Sequence, residues 1–246
     1  MASVPKKAFV LAAGKGERMR PLTNTCPKPL LYVDGRTMLD RALDALEAAG
    51  VEEVVVNTWY LGDMITEHLK NRTAPKITFS HEKELLDTGG GVRNMLGFFG
   101  DEPFFVLNAD VLWTDGDKGA TLEQMAKAWD SEKMDLLLLL HTTKDLPEYA
   151  GRGDYYLPPG SDKPVFKANT DEAANFIFAG PRIVHPRLFK DTNPGAFSFL
   201  ELFHKAEKAG KLSGHRHDGD WHHVGTPEAL EDTNRILAAK AKKRAP

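Results

Sequence analysis

Phe9-Val10-Leu11-Ala12-Ala13-Gly14-Lys15-Gly16-Glu17-Arg18-Met19-Arg20-Pro21-Leu22-Thr23, with Cys26-Pro27-Lys28-Pro29-Leu30 close behind it, is the stretch whose reading decides the fold. Residues 8–12 form a short apolar run, which reads as a buried strand. The run breaks into Gly14-Lys15-Gly16, where the backbone is free to take φ > 0 and to approach a ligand closely. Lys15, Arg18, Arg20 and Lys28 place cations along one loop, and Pro21, Pro27 and Pro29 stiffen it. Successive backbone N–H groups beside fixed cations suit a polyphosphate. The loop is not a P-loop, because Gly, a four-residue gap and Gly-Lys-Ser/Thr do not occur in order. Nor is it a dinucleotide fingerprint, because the third glycine would fall at Met19.

The remaining chain fits one large α/β domain. Its 246 residues suffice for a sizeable core, and 27% charged with 41% hydrophobic residues is ordinary for a globular protein. A net charge of −3 recruits neither nucleic acid nor an anionic membrane. Cys26 is the lone cysteine, which leaves no intramolecular disulfide and no cysteine zinc site. No apolar run approaches the ~20 residues of a membrane span. The first residues lack a signal-peptide core, so a cytoplasmic protein is expected. The basic tail, Lys240-Ala-Lys-Lys-Arg244, reads as a solvated helix end.

Periodicity predicts helices over 37–49, 61–70, 90–98 and 121–129, and strands over 53–58, 76–81, 103–108 and 136–141. That alternation predicts a mostly parallel, doubly wound sheet of Rossmann-like type, covered on both faces. Right-handed crossovers then collect the ligand-binding loops at one sheet edge. Residues 149–171, rich in Gly, Pro and Asp, read as a small excursion over the site with a short strand at 154–157. A strand over 175–184, a helix over 197–209, a strand over 211–217 and a helix over 226–243 close the chain. Thr226 is the expected N-cap of that last helix, with Pro227 in its first turn. One domain over 1–246 is expected, in two halves, 1–141 and 142–246.

Three further segments carry chemistry. Leu86-Asp87-Thr88-Gly89-Gly90-Gly91 puts three glycines before a helix, where the backbone can approach a flat group. Val106-Leu107-Asn108-Ala109-Asp110 ends an apolar strand with a carboxylate just beyond it, the place where an α/β sheet offers a metal ligand to a nucleotide. Asp115 and Asp117 read as turn residues. Trp221-His222-His223-Val224-Gly225-Thr226-Pro227-Glu228 is the third; consecutive residues of a strand face opposite sides, which argues against zinc held by His222 with His223.

The first loop resembles the signature of the sugar-1-phosphate nucleotidyltransferases, the nucleotide-diphospho-sugar pyrophosphorylases. Their pattern is Leu-Ala-Ala-Gly-x-Gly-x-Arg-Met-x-Pro-Leu-Thr, then Pro-Lys-Pro-Leu, and every position is matched here. The resemblance implies a GT-A-like fold and transfer of a nucleotidyl group from a nucleoside triphosphate to a sugar 1-phosphate, with release of pyrophosphate. It implies Arg18 and Lys28 as catalytic cations and Leu11, Ala12, Ala13, Gly14, Lys15, Gly16, Thr88, Gly89, Gly90 and Asn108 as the nucleotide site. It implies Asp110 as a Mg²⁺ ligand. The family's Trp-x-Asp-Val-Gly-Thr-Pro-Glu carries a second metal-binding Asp where this chain has His223. Imidazole suits softer ions, so three readings of His223 stand open: it ligates Mn²⁺ or Co²⁺ in place of Mg²⁺, it binds phosphate directly, or it leaves the metal to Asp110, phosphates and water. For the sugar phosphate the resemblance implies a mid-chain lysine, Lys167 or Lys163 of Asp162-Lys163-Pro164, together with Asn175 and Gly180.

The chain stops soon after Val-Gly-Thr-Pro, without the β-helix extension of longer members. It looks most like the N-acetylmuramate-1-phosphate uridylyltransferases of cell-wall (peptidoglycan) recycling, which implies UTP. Mannose-1-phosphate guanylyltransferases share many of the segments and stand as the alternative. A nucleotide-binding module without turnover is the other class, with its second metal ligand lost at His223. Partners are expected to be small molecules, with no nucleic acid and no membrane, in a monomer or small homo-oligomer.

Overall fold

The computed structural model describes residues 4–146 and 151–244, with side chains described to residue 240. The apolar run opens it as β1 (Lys7–Leu11). A proline-braced loop of short 3-10 turns follows, then a small hairpin, β2 (Tyr32–Val33) and β3 (Arg36–Thr37). The Thr37 side chain accepts from the Asp40 N–H and starts α1 (Met38–Ala48), which buries Met38, Leu39, Ala42, Leu43 and Leu46 along one stripe. The β-branched segment is β4 (Glu53–Thr58). After it come α2 (Gly62–Leu69), β5 (Lys76–His81), α3 (Asp87–Asn94), α4 (Leu96–Phe99) and β6 (Phe104–Asn108). β7 (Val111–Trp113), α5 (Thr121–Ala128) and β8 (Leu136–Thr142) complete the first half. The second half holds β9 (Tyr155–Tyr156), β10 (Val165–Phe166), β11 (Phe176–Val184), α6 (Phe199–Lys208), β12 (Leu212–Arg216), β13 (Trp221–His223) and α7 (Pro227–Arg244).

The strands β5, β4, β1 and β6 lie side by side and parallel. β11 then runs antiparallel between β6 and β8, and β12 pairs parallel with β8. The sheet is therefore mostly parallel, as the alternation predicts, and no local pattern marks the reversal of β11. β9 and β10 extend it beside the first residues of β11; β9 is the short strand expected within 154–157, but no described residue of 149–171 lines the cavity at the carboxyl ends of β1 and β6.

Alternation along β1 divides the core. Ala8 and Val10 face the layer of α1, α2 and α5 with Val54, Val56, Phe105 and Leu107. Phe9 faces the layer of α3 and α6 with Val55, Phe104 and Val106. Each fully buried Leu, Val or Phe contributes roughly 1.5–3 kcal/mol, so covering both faces supplies most of the driving force. The expected single helix over 90–98 is instead α3 and α4. α3 starts at Asp87, takes in all three glycines, and breaks at Met95, whose φ and ψ leave the helical region. Thr226 does cap α7, its Oγ1 accepting from Ala229 N–H. Among the described residues no helix is long and apolar enough to cross a membrane.

Candidate active site

The carboxyl ends of β1, β4 and β6 lie together, and the chain leaves each of them into one cavity of about 580 Å³. Leu11, Ala12, Ala13, Gly14, Lys15, Gly16 and Arg18 line one wall. Lys28, Asn108 and Asp110 form its floor, with Leu85, Asp87 and Thr88 opposite. Gly16 has φ 63°, and a Cβ on it would meet Lys28 Cβ and Thr23 Cγ2 at 3.0 Å. A side chain there would be strained twice over. Gly14 is different: nothing of the protein lies within 4 Å of where its Cβ would be. Its missing side chain leaves open cavity.

The loop is braced from behind by residues that sequence reasoning overlooked. Asn57, in β4, accepts from Ala12 N–H at 2.7 Å and donates to Glu82 Oε1 at 2.7 Å. Glu82 Oε2 accepts from Leu86 N–H, tying the phosphate loop to the entry of α3. Tyr60 donates its hydroxyl proton to the Thr23 carbonyl at 2.7 Å. The available signal was a buried amide at the end of the apolar run Val54-Val55-Val56-Asn57.

At the floor, Lys28 Nζ donates to Asp110 Oδ2 at 2.6 Å. The Lys28 side chain is 9% exposed and that of Asp110 31%, so the pair sits half-sunk at the cavity wall. His223 does not line this cavity; it lines a second one with Trp221 and His222, and β7 brings it near Asp110. The ribbon β7–β13 pairs His223 with Val111, the residue next to Asp110. The His223 ring stacks on Trp221 and lies where a Gly225 Cβ would touch its Nε2 at 2.5 Å. Its pKa is held below the ordinary imidazole value by burial of part of the ring, opposed by Asp110 and aided by Lys28 and Arg18. The ring nevertheless keeps an exposed edge, so that shift is small in energy.

Among the described residues no group of three or more His, Cys, Asp or Glu could hold a metal. Asp110 and His223 offer one oxygen and one nitrogen donor, and substrate phosphates would have to complete the shell. That set fits a divalent ion of intermediate hardness.

Other expected site residues fall elsewhere. Gly89 and Gly90 do not line the cavity. Both of their N–H groups donate to the Phe197 carbonyl, and Cβ atoms there would strike Phe197 at 2.4 Å and the Gly195 carbonyl at 2.2 Å. The close approach these glycines permit is to the 195–197 segment rather than to a ligand. Thr88 does line the cavity, while its Oγ1 accepts from Phe199 N–H at the start of α6. Asp87, also in the lining, has φ 58°, a conformation that only Gly, Asn and Asp visit readily.

The four sugar-phosphate candidates lie outside this cavity as well. Asn175 Oδ1 accepts from Leu157 N–H, and Gly180 abuts Val111. Lys167 donates to the Gly153 carbonyl beside Asp154. Lys163 reaches Ser213 on the edge strand β12. Asp115 is the turn residue expected, accepting from both Thr121 N–H and Oγ1.

The chain resembles known proteins both in sequence and in fold. The sequence matches the nucleotidyl transferase family over residues 7–153. It is 40% identical to the N-acetylmuramate alpha-1-phosphate uridylyltransferase of Caulobacter vibrioides, over 98% of each chain. It is 33% identical to the protein of the same name from Neisseria meningitidis serogroup B, covering 95% of this chain and 99% of that one. In fold it is similar to a UDP-glucose pyrophosphorylase solved with UDP-glucose, with a TM-score of 0.74 at 22% identity, over 96% of this chain and 99% of that one. With its glycine loop, its Lys28–Asp110 floor and these relatives, the chain belongs to the nucleotidyl transferase family.

Proposed function

We propose that this enzyme transfers the uridylyl group of UTP to N-acetylmuramate 1-phosphate, releasing pyrophosphate. The class of reaction, nucleotidyl transfer to a sugar 1-phosphate, rests on family membership. The choice of pair rests on the near full-length similarity to the Caulobacter relative. The structural observation that carries the reading is the Lys28–Asp110 pair at the foot of the glycine loop.

A sugar 1-phosphate has a second pKa near ~6, so its oxygen is already an anion at neutral pH. It attacks the α-phosphorus of the triphosphate, the bond to the β-phosphate breaks, and pyrophosphate leaves with the electron pair. No general base is needed; the protein positions and neutralises. The open space at Gly14 and the left-handed turn at Gly16 let the α- and β-phosphates lie against the backbone. Arg18 holds the departing phosphates. Lys28 leaves Asp110 and bridges the α-phosphate and the sugar phosphate. Asp110 and His223 would hold a divalent ion, which when bound draws the two anions together and offsets their repulsion. Leu85, Asp87 and Thr88 face the base and ribose.

The test is pyrophosphate release measured over a grid of triphosphates and sugar 1-phosphates. UTP with N-acetylmuramate 1-phosphate should be the best pair. A preference for GTP with mannose 1-phosphate would overturn the choice of substrates. No release from any pair would favour binding without turnover, the reading that the His223 replacement invites.

A further inference from the structure

Arg182 is the largest fully buried side chain among the described residues. It stands in β11, opposite Val106 of β6 and Leu138 of β8, near the middle of the sheet. Burying a guanidinium is costly unless it is paired. Among the described residues no carboxylate pairs with it, and its Nε has no hydrogen-bond partner. Burial pulls its pKa down to about 9, which still leaves it cationic at neutral pH.

Two kinds of contact offset the burial. The guanidinium lies over the rings of Phe199, Phe178 and Phe203, at 4.3, 5.5 and 5.9 Å from their centroids. Nη1 donates to the Gly180 carbonyl at 3.0 Å and to Asn108 Oδ1 at 2.9 Å. The second contact links the core to the cavity, because Asn108 is part of the cavity floor.

An arginine has donors and no acceptor. An asparagine beside it must turn its carbonyl oxygen toward the guanidinium, which sends the amide NH₂ the other way. Asn108 Nδ2 has no protein partner among the described residues and is not a buried orphan. We propose that Arg182 is a positioning residue, which fixes the Asn108 amide so that the cavity floor presents a hydrogen-bond donor to an acceptor oxygen of the substrates. This rests on the reading of that cavity as the substrate site. The oxygen belongs to a nucleotide phosphate or to the sugar 1-phosphate, and the two sources are separable by experiment.

Arg182→Met places an uncharged, adaptable side chain among the same phenyl rings. It should fold with a Tm no lower than wild type, because an unpaired buried charge is gone. Its kcat/KM should fall at least about tenfold, as should that of Asn108→Ala, and the double variant should lose no more than either single one, the mark of residues acting as a unit. Arg182→Lys should recover part of the loss. Asn108→Asp should pair with Arg182, raise Tm, and still lose activity, because it faces the substrate with an acceptor. Weaker UTP binding by calorimetry would assign the oxygen to the nucleotide; a raised KM for the sugar 1-phosphate alone would assign it to the sugar.

A folded Arg182→Met variant with kcat/KM within about twofold of wild type, or losses that multiply in the double variant, overturns the proposal. A readout independent of turnover is the Asn108 side-chain NH₂ pair in amide NMR spectra. In wild type the pair should carry chemical shifts distinct from those of an exposed asparagine, and Arg182→Met, or Arg182→Lys if Met does not fold, should move both signals toward the exposed values. Unchanged signals overturn the proposal. If wild type releases no pyrophosphate from any substrate pair, the functional reading falls while this measurement still judges the positioning.

Discussion

Replacing Lys28 with methionine removes one charge from the cavity floor and little else. The lysine stem packs against the glycine loop, its Cβ 3.0 Å and its Cδ 3.6 Å from where a Gly16 Cβ would be. Methionine keeps most of that contact. The lost Nζ lies 2.6 Å from Asp110 Oδ2, on a side chain only 9% exposed. One charge-assisted hydrogen bond is worth ~1.5–3 kcal/mol, which at ~1.36 kcal/mol per decade is a factor of roughly 10 to 150 in rate. If the ammonium meets two phosphates at once, a Coulomb energy of ~4 kcal/mol at an effective dielectric of ~20 sets an upper bound near ~1,000-fold. Stability should move little, because the carboxylate left behind, Asp110, is 31% exposed and water can solvate it. Coupled pyrophosphate detection should therefore give kcat/KM lowered by roughly 10- to 150-fold, with Tm changed by no more than a few degrees. A second arm needs no turnover. Lys28→Met frees Asp110 Oδ2, so Mn²⁺ added to the nucleotide-free protein should bind more tightly by calorimetry. Activity within about twofold of the parent would refute the assigned role of Lys28, and unchanged Mn²⁺ affinity would refute that of Asp110.

The glycines should separate: Gly14→Ala should fold normally yet lose triphosphate binding, whereas Gly16→Ala, at φ 63°, should cost ~1–2 kcal/mol in denaturant unfolding; equal effects on stability would contradict the difference in their surroundings. His223→Asp should lower the Mg²⁺ concentration needed for half-maximal rate, because a carboxylate is harder and negatively charged; an unchanged metal titration would make His223 a bystander. His217 should give an acid limb to stability. Burial lowers its pKa, helped by His141 and opposed by the Asp220 carbonyl, Asp218 and Asp115. A histidine depressed in the folded state contributes stability that is present above its unfolded pKa and lost as pH falls below about 6.5. Urea unfolding at about pH 7.5 and about pH 5.5 should show a smaller loss in His217→Gln than in wild type; equal losses would assign the acid limb to other groups.

Much of this chain could be read in one dimension because its decisive features are local. Residues 8–12 are apolar without interruption, so they form a strand buried on both faces, and Gly14-Lys15-Gly16 must be the turn that follows it. The helix α1 shows its cap and its buried stripe within eleven residues. Asp110 follows its strand directly, so its place at the carboxyl edge of the sheet needs nothing more than the strand's direction. Where the expectations failed, the deciding partner lay far along the chain. The glycines at 89 and 90 look like a ligand-facing turn until the 195–197 segment occupies the space beside them. Asn57, Glu82 and Arg182 show nothing by spacing, because their meaning lies in hydrogen bonds to Ala12, Leu86 and Asn108. The reversal of β11 cannot be seen in its own residues, since a buried strand is apolar whichever way it runs. His223 was recognisable as the odd residue of its motif; only the pairing of β13 with β7 set it beside Asp110. Composition and periodicity act on neighbours, and so determine elements and the phosphate loop. Which amide braces the loop, which glycine faces the cavity and which cation is buried behind it depend on contacts that exist only once the sheet has closed.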